Sequence, residues 1–597
     1  MRFEPKNLKA LLDAAMDKIP CDLAVTNAQY VNLFTGEIYP ASVYVHDGFV
    51  VFVDKDDANP PSHEPKEVVD AEGKYIVPGL IDSHVHIESS MLSPRNFAEA
   101  VVPLGVTTVI HDPHELTNVF GEEAVVYFDE AAKDLPQRQL ANIPSCVPSV
   151  PGLESAGGVI EAEHVHRLAK LENVVGLGEV MDFVGVINHS DRMASIIQAA
   201  RDNNLYLQGH IPVGDPRLIA AYYIGGPWTC HETRFPGEAL TKMRAGMCVD
   251  ARDSSMSVNV ATIWEDVKDL PYRERLTFCT DDREADDILD VGQLDDVLRH
   301  ALQLGMEPVE AIRSASLRTA EQAWLENIGA VAPGYVADFL LVDNLKDFTV
   351  REVFTRGELV AVDGKLVKEI PKKTFEIETR NSVNLPDYDI DTFGLFVPES
   401  LRGQKEVKVN ILTYRDLNSS YAVNETVVLP VLENGLVDIS VDPDLVYVTV
   451  LNRYGTGRIS NGLVKNFGIS AGAKGATISH DCHNLCVVYK DQASALAVVS
   501  ALEECGGGIA AAKDGKILNT FPLPLGGLMS LDNAEKTAEQ ARAMKATLRE
   551  LGIPGKNPIL RIATLCLIVI PEVKYSEFGL VDVKKQELVP IFPEACC

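Results

Sequence analysis

Between Tyr75 and Asp282 the chain repeats one unit eight times: a short apolar run, then a stretch with helical periodicity. The runs are YIVPGLIDSH, VTTVIHDP, QLANIPSCV, NVVGLGEV, LYLQGHI, PWTCHE, MCVDARD and LTFCTDD. Such alternation predicts parallel strands joined by crossover helices, and eight units is the number that closes into a (β/α)8 TIM-type barrel. The barrel segment, taken as 75–330, has about 250 residues, the usual size of that fold.

The flanks read differently. Residues 1–74 begin with a charged amphipathic helix and continue in short β-rich runs broken by Gly, Asp and Pro. Residues 331–378 are β-rich again, so a β-sandwich begun before the barrel and completed after it is expected. The polar, turn-rich stretch 379–394 reads as a linker. From 395 to 597 strand-like and helix-like segments mix, giving a C-terminal α+β domain. The fold class is therefore α/β, a (β/α)8 barrel with a flanking sandwich and one further domain.

Composition narrows the function. Lys plus Arg total 54 against 86 for Asp plus Glu, a formal charge of −32. No broad cationic face is available for a phosphate backbone, so nucleic acid is not an expected partner. The N-terminus lacks the continuous apolar core of a secretory signal. No apolar run reaches the roughly 18 residues a membrane span needs, and IATLCLIVI near position 566 reads as a buried strand. The eleven cysteines include no CxxC pair. Reduced thiols and a cytoplasmic location are the expectation.

Catalytic groups of a β/α barrel sit at the C-terminal ends of its strands and face one mouth. The first run ends in SHVHIE, with His84 and His86 two apart and hence on one strand face. The fourth ends in Glu179, the fifth in His210, the sixth in His231, and the eighth in Asp281 and Asp282. Four imidazoles and two carboxylates form a ligand set for two divalent ions. His84 and His86 with Asp281 would hold the first, and His210 with His231 the second. Two adjacent cations repel unless an anion bridges them. The fourth run contains no Lys, which leaves Glu179 as the bridge. Such mixed ligands suit Mn, Fe or Zn.

The segments PGLIDSHVHIESS, HDPHE, LGEVMD, GHIP, CHE and CTDD, followed by VAPGYVADFLLVD, resemble the amidohydrolase superfamily. HDPHE after the second strand, the acidic residue after His-x-His, and SHDCHN with PLPLGGLMS in the C-terminal domain are similar to its adenine deaminase family. The likeness covers essentially the whole chain. It implies hydrolysis of adenine to hypoxanthine and ammonia, a metal-bridged hydroxide attacking C6. It further implies two divalent ions, with Mn expected to be the functional one, and adenine as the small-molecule partner. In that reaction a ring nitrogen must gain a proton and the amine must leave as ammonia. A carboxylate must therefore shuttle protons, a step typically worth about 10²–10⁴-fold. Asp281 is the expected acceptor of the water proton. Asp112, His114 and Glu115 are candidates for ring contact and protonation, and Asp282, Arg252 and Ser254 for substrate binding.

Other readings compete at several positions. Asp112 and His114 can instead orient ligands, and Asp282 can cap the helix after strand eight. Glu88 and Ser89 suit a helix start, and Arg252 and Ser254 can pair with surplus carboxylates. His111, His189 and Glu232 read as local structure. His480, Asp481 and His483 are candidates for a further metal, for closure over the barrel mouth, or for an interface. The H-x-E and P-C-x-x-C zinc motif of the other nucleobase deaminase fold is absent from the sequence. The same ligands would also activate water against another cyclic amide or imine, and a scaffold without catalysis is the non-enzymatic alternative. A homo-oligomer is expected from the extra domain.

Overall fold

A computed structural model describes residues 1–417 and 421–596. Five parallel strands pair side by side in chain order: Leu80–Val85, Val106–His111, Arg138–Pro144, Val174–Val180 and Tyr206–Gly209. Three more, Thr229–Cys230, Cys248–Arg252 and Leu276–Cys279, form a second parallel sheet. These eight are called strands one to eight below. Every residue of strands one to four is buried, as expected of parallel strands covered on both faces. That explains why the sequence shows them as continuous apolar runs and not as alternating ones. Strand eight returns to strand one at two residues of interest, where the Asp281 N–H donates to the His84 carbonyl at 3.0 Å.

The connecting helices carry local start signals. The helix Pro216–Gly225 after strand five opens with Asp215, whose carboxylate accepts from the N–H groups of Arg217 and Leu218, with Pro in the first turn. The helix Leu8–Ala15 lies where the charged amphipathic N-terminus was expected. Strands between Leu23 and Pro78 and between Phe339 and Leu366 join one nine-stranded sheet. Its seam is the antiparallel pairing of Phe339–Val342 with Tyr75–Pro78, so segments more than 250 positions apart share a single β unit.

The C-terminal part holds an eight-stranded sheet between Glu406 and Pro522, the helices Gln492–Glu504 and Ala534–Glu550, and a three-stranded sheet from Val573 to Val589. IATLCLIVI does not form the expected strand. Ala563–Leu565 is a 3-10 turn, with the Leu565 N–H donating to the Ile562 carbonyl at 3.0 Å. Its apolar character reflects packing beside the cavity described next instead of pairing, since Leu567 and Ile570 line that cavity. Among the described residues no helix is long and apolar enough to cross a membrane.

Candidate active site

The ends of strands one, four, five, six and eight deliver His84, His86, Glu179, His210, His231 and Asp281 to one place. His84 gives Nδ1–H to the Gln208 amide oxygen at 2.9 Å, and His86 gives Nδ1–H to the Asp112 carbonyl at 2.9 Å. Each ring therefore turns its Nε2 inward. His86 Nε2 lies 3.3 Å from Asp281 Oδ1 and 3.5 Å from Glu179 Oε1, and His84 Nε2 lies 3.8 Å from Asp281 Oδ1. The buried His84 Nε2 has no hydrogen-bond partner. On the other side, Glu179 Oε2 lies 2.6 Å from His210 Nδ1 and 2.9 Å from His231 Nε2, and those two nitrogens are 3.2 Å apart.

Lone pairs converging at such spacings need a proton or a cation between them. Donor atoms about 2.0–2.2 Å from one ion sit at comparable mutual distances. The orphaned His84 nitrogen and the mix of imidazole and carboxylate donors therefore fit divalent ions. With protons alone, the groups polarise one another. Burial favours neutral Glu179, but His210 and His231 outweigh it and hold the carboxyl well below its usual range. Burial likewise opposes charge on Asp281, and Arg252 prevails. Burial lowers His86, but hydrogen bonds to Asp281 and Glu179 raise it well above an ordinary imidazole.

Asp281 adopts φ +54°, a left-handed conformation that non-glycine residues rarely take. The strand-one bond to its N–H holds it there. Arg252 donates to Asp281 Oδ2 and, at 2.8 Å, to Glu232 Oε1. Glu232 in turn meets Arg234 at 2.8 Å. Arg252 thus sits in an ion-pair chain on the cavity wall. Ser254 turns its hydroxyl toward the N–H groups of Met256 and Ser257 at 3.1 and 2.9 Å and also lines the cavity.

The cavity holds about 310 Å³, at the lower end of the ~300–1,000 Å³ of small-molecule sites. His86, His114, Glu179, His210, His231, Asp281 and Asp282 form its barrel side. Asp112 and Glu115 are not part of that lining. Asp112 lies behind it, its Oδ1 3.7 Å from His114 Nδ1. It fits there because strand four offers Gly178, where a Cβ would come within 2.8 Å of Asp112 Oδ2. Glu115 and Asp282 both lie 2.6 Å from the hydroxyl of Ser89, within the short turn Glu88–Ser90. One hydroxyl has one proton to donate, so one of the two carboxyls carries its own. Burial and the Asp281 charge both raise Asp282. Glu88 beside them is pushed up to about 8 by burial and by Glu115.

Three groups on the wall lie outside the substrate contacts expected from sequence. Glu232 faces the cavity, and His480 and Asp481 reach it from the C-terminal sheet. Gln208 had a legible signal, standing two positions before His210 and so on the same strand face. SHDCHN stood out in the sequence only by its likeness to the family and as a candidate for closure over the mouth, since it lies in a connection without periodicity that could say where its side chains go.

Residues 75–360, which carry the parallel strands and the side chains at their ends, match the amidohydrolase family. Residues 421–587 match the adenine deaminase C-terminal domain. The chain is 36% identical over 585 residues to an adenine deaminase of Desulfatibacillum aliphaticivorans, covering 98% of this chain and 99% of that one. An adenine deaminase of Halalkalibacterium halodurans is 35% identical, covering 96% of this chain and 97% of its own. Adenine deaminase 3 of Rhizobium meliloti is also 35% identical, with 97% of each chain covered. The chain belongs to the adenine deaminase family.

Proposed function

We infer that this chain catalyses the hydrolytic deamination of adenine to hypoxanthine and ammonia. The observation that carries the metal assignment is the division of Glu179, with one oxygen toward His86 and the other toward His210 and His231. We assign His84, His86 and Asp281 to one divalent ion, His210 and His231 to a second, and Glu179 to both. Mn, Fe and Zn all suit these donors, and Mn is the proposed functional metal. Bound there, the ions would supply an acidified water as nucleophile and positive charge facing the developing anion.

The remaining work falls to side chains. Asp281 takes the proton released by the water and hands it to the C6 amino group, which leaves as ammonia as the C6–N bond breaks, with Arg252 fixing the carboxylate's orientation and keeping it ionised beforehand. Asp282, on the cavity wall with its carboxyl raised by burial and by Asp281, is assigned as the hydrogen-bond partner of the purine and the proton source for a ring nitrogen as aromaticity is lost. His114, on the same wall, is assigned to ring contact. Asp112 acts through His114, and Glu115 acts through Ser89 on Asp282. Arg252 and Ser254 shape the wall that the substrate meets.

For the fold, we propose that the two parallel sheets close as one eight-stranded barrel, since Asp281 and His84 bond across the gap. We also read the nine-stranded sheet as a sandwich closed on itself. A single core holding Val25, Val43, Phe339 and Phe354 supports that reading. The proposed limits are 1–74 and 331–378 for the sandwich, 75–330 for the barrel, 379–394 for the linker and 395–597 for the last domain.

Incubating metal-loaded protein with adenine tests the reaction. Loss of adenine absorbance with one ammonia per hypoxanthine is expected. No adenine turnover, alongside hydrolysis of a lactam, would move the substrate to the cyclic amides that the same ligands can attack.

A further inference from the structure

The loop between the strands Ala473–Ala476 and Leu485–Tyr489 brings His480 and Asp481 to the barrel mouth. It is anchored there from several sides. The Tyr454 hydroxyl donates to the Cys482 carbonyl at 2.6 Å, and Asn484 Nδ2 donates to the Ser155 carbonyl of the barrel segment at 3.0 Å. The PLPLGGLMS segment also reaches the barrel, the Ser530 N–H donating to the Met91 carbonyl at 2.8 Å. His480 and Asp481 are 7% and 2% exposed, yet both line the cavity, and His480 Nε2 and Asp481 Oδ2 have no hydrogen-bond partner.

An enclosed carboxylate oxygen without a donor is costly unless a ligand supplies one. The ring of His114 sets its place. His114 Nδ1 lies 3.8 Å from Glu179 Oε1, while Nε2 lies 3.6 Å from Asp481 Oδ1. Asp481 therefore stands one imidazole away from Glu179, on the far side of the His114 ring, and lines the same cavity. Adenine has donors in only two places, the amino group at C6 and the N–H of its five-membered ring. C6 must face Glu179 and Asp281, which leaves the ring N–H for Asp481.

We propose that Asp481, with His480 beside it, is a recognition subsite for the five-membered-ring N–H of the purine, supplied by the C-terminal domain to complete the barrel site. The proposal rests on adenine being the substrate. It makes the domain a determinant of free-base specificity, because a purine substituted at N9 has no such proton and buries Asp481 unpaired.

A third cation is the competing occupant, since ligand atoms of His114, His480 and Asp481 lie within 4.8 Å of one another. Two observations disfavour it. The three side chains wall the cavity itself, so an ion there would displace substrate. His483, the next imidazole, accepts the Ser479 N–H at Nδ1 at 3.2 Å. Its neutral ring therefore carries its proton on Nε2 and offers no lone pair there.

The test compares adenine with 9-methyladenine in wild type, Asp481→Asn and Asp481→Ala, with metal content measured in each. Wild type is expected to favour adenine by about 10³–10⁵-fold in kcat/KM, the discrimination of a site built around a substrate N–H. Asp481→Ala should lose most of its rate with adenine, chiefly through KM, so that the two substrates fall within about tenfold of each other. Asp481→Asn, which keeps an acceptor but no charge, should lie between. Metal content should be the same in all three. Equal use of both substrates by wild type, an unchanged KM in Asp481→Ala, or loss of one metal per chain in the variants would each overturn the subsite. Failure of wild type to turn over adenine would instead overturn the reaction on which it rests.

Discussion

The amide oxygen of Gln208 accepts from His84 Nδ1 at 2.9 Å while its amide nitrogen donates to the Ser83 carbonyl at 2.8 Å. The bond fixes the tautomer that leaves Nε2 of His84 free for a metal. Asn142 Nδ2, 3.0 Å from the same oxygen, keeps the amide from flipping. Gln208→Leu should fold, yet lose about 10–100-fold in affinity at the first metal position. Competition with a chelator measures it. Unchanged affinity would show that His84 needs no such support.

Glu179 lies 3.5 Å from His86 through one oxygen and 2.6 and 2.9 Å from His210 and His231 through the other. Glu179→Gln keeps the size and removes the charge, leaving two cations without a bridging anion. Metal analysis should find at most one ion per chain, and adenine turnover should fall by at least about 10²-fold. Two retained ions with near-normal rates would remove Glu179 from the bridge.

Metal loading should release protons. His86 in the metal-free site is held well above an ordinary imidazole by Asp281 and Glu179 against the pull of burial, so it is protonated at neutral pH. Coordination needs that nitrogen bare, hence binding expels the proton and apparent affinity climbs with pH up to the elevated value. The metal-free fold has the opposite trend. The contribution of a raised histidine is complete below its unfolded pKa of about 6.5 and fades as pH rises through the folded value. An indicator dye in weak buffer should report acidification when Mn is added at pH 7. No proton release would contradict the assignment of His86.

Lys545, on the helix Ala534–Glu550, lies 2.5 Å from Glu284 and 2.7 Å from Asp286, just beyond strand eight. It locks the last domain onto the barrel. Lys545→Met strands two enclosed carboxylates, and breaking such a pair costs about 3–5 kcal/mol. Urea unfolding should show that loss, or a separate early transition if the domain undocks first. A shift below about 1 kcal/mol would mean the carboxylates reach water.

Tyr222 offers a smaller lever. Its hydroxyl donates to the Val180 carbonyl at 2.6 Å and accepts the His210 N–H at 2.9 Å, tying strand four to the second imidazole pair. Tyr222→Phe leaves both backbone groups unpaired and should cost about 1–3 kcal/mol. Thermal melts of metal-free and loaded protein check it, with the loaded form affected more if His210 shifts. Equal melting points before and after substitution would show that neither backbone group depends on the hydroxyl.

The convergence of His84, His86, Glu179, His210, His231 and Asp281 was legible because each stands at the end of an apolar run, and parallel strands present their C-terminal ends on one side. The two halves of the nine-stranded sheet were legible as composition, and the pairing of Phe339 with Pro78 shows how they join. The strand expected in IATLCLIVI illustrates the limit, since apolar sequence reports burial and leaves the partner unspecified. Asp112 and Glu115 show it again. Adjacency to His114 placed them at the mouth, but the turn after strand two directs their carboxyls behind the wall.

The sequence by itself determined the order of the parallel strands and the kinds of donor at their ends, because run length, count and alternation are local properties. Tertiary structure decided which acids face the cavity. That choice depends on a glycine in strand four, a serine shared by Glu115 and Asp282, and a loop nearly 400 positions beyond His86 that sets Asp481 beside His114. These are contacts between distant segments, fixed by packing, and no periodicity along the chain encodes them.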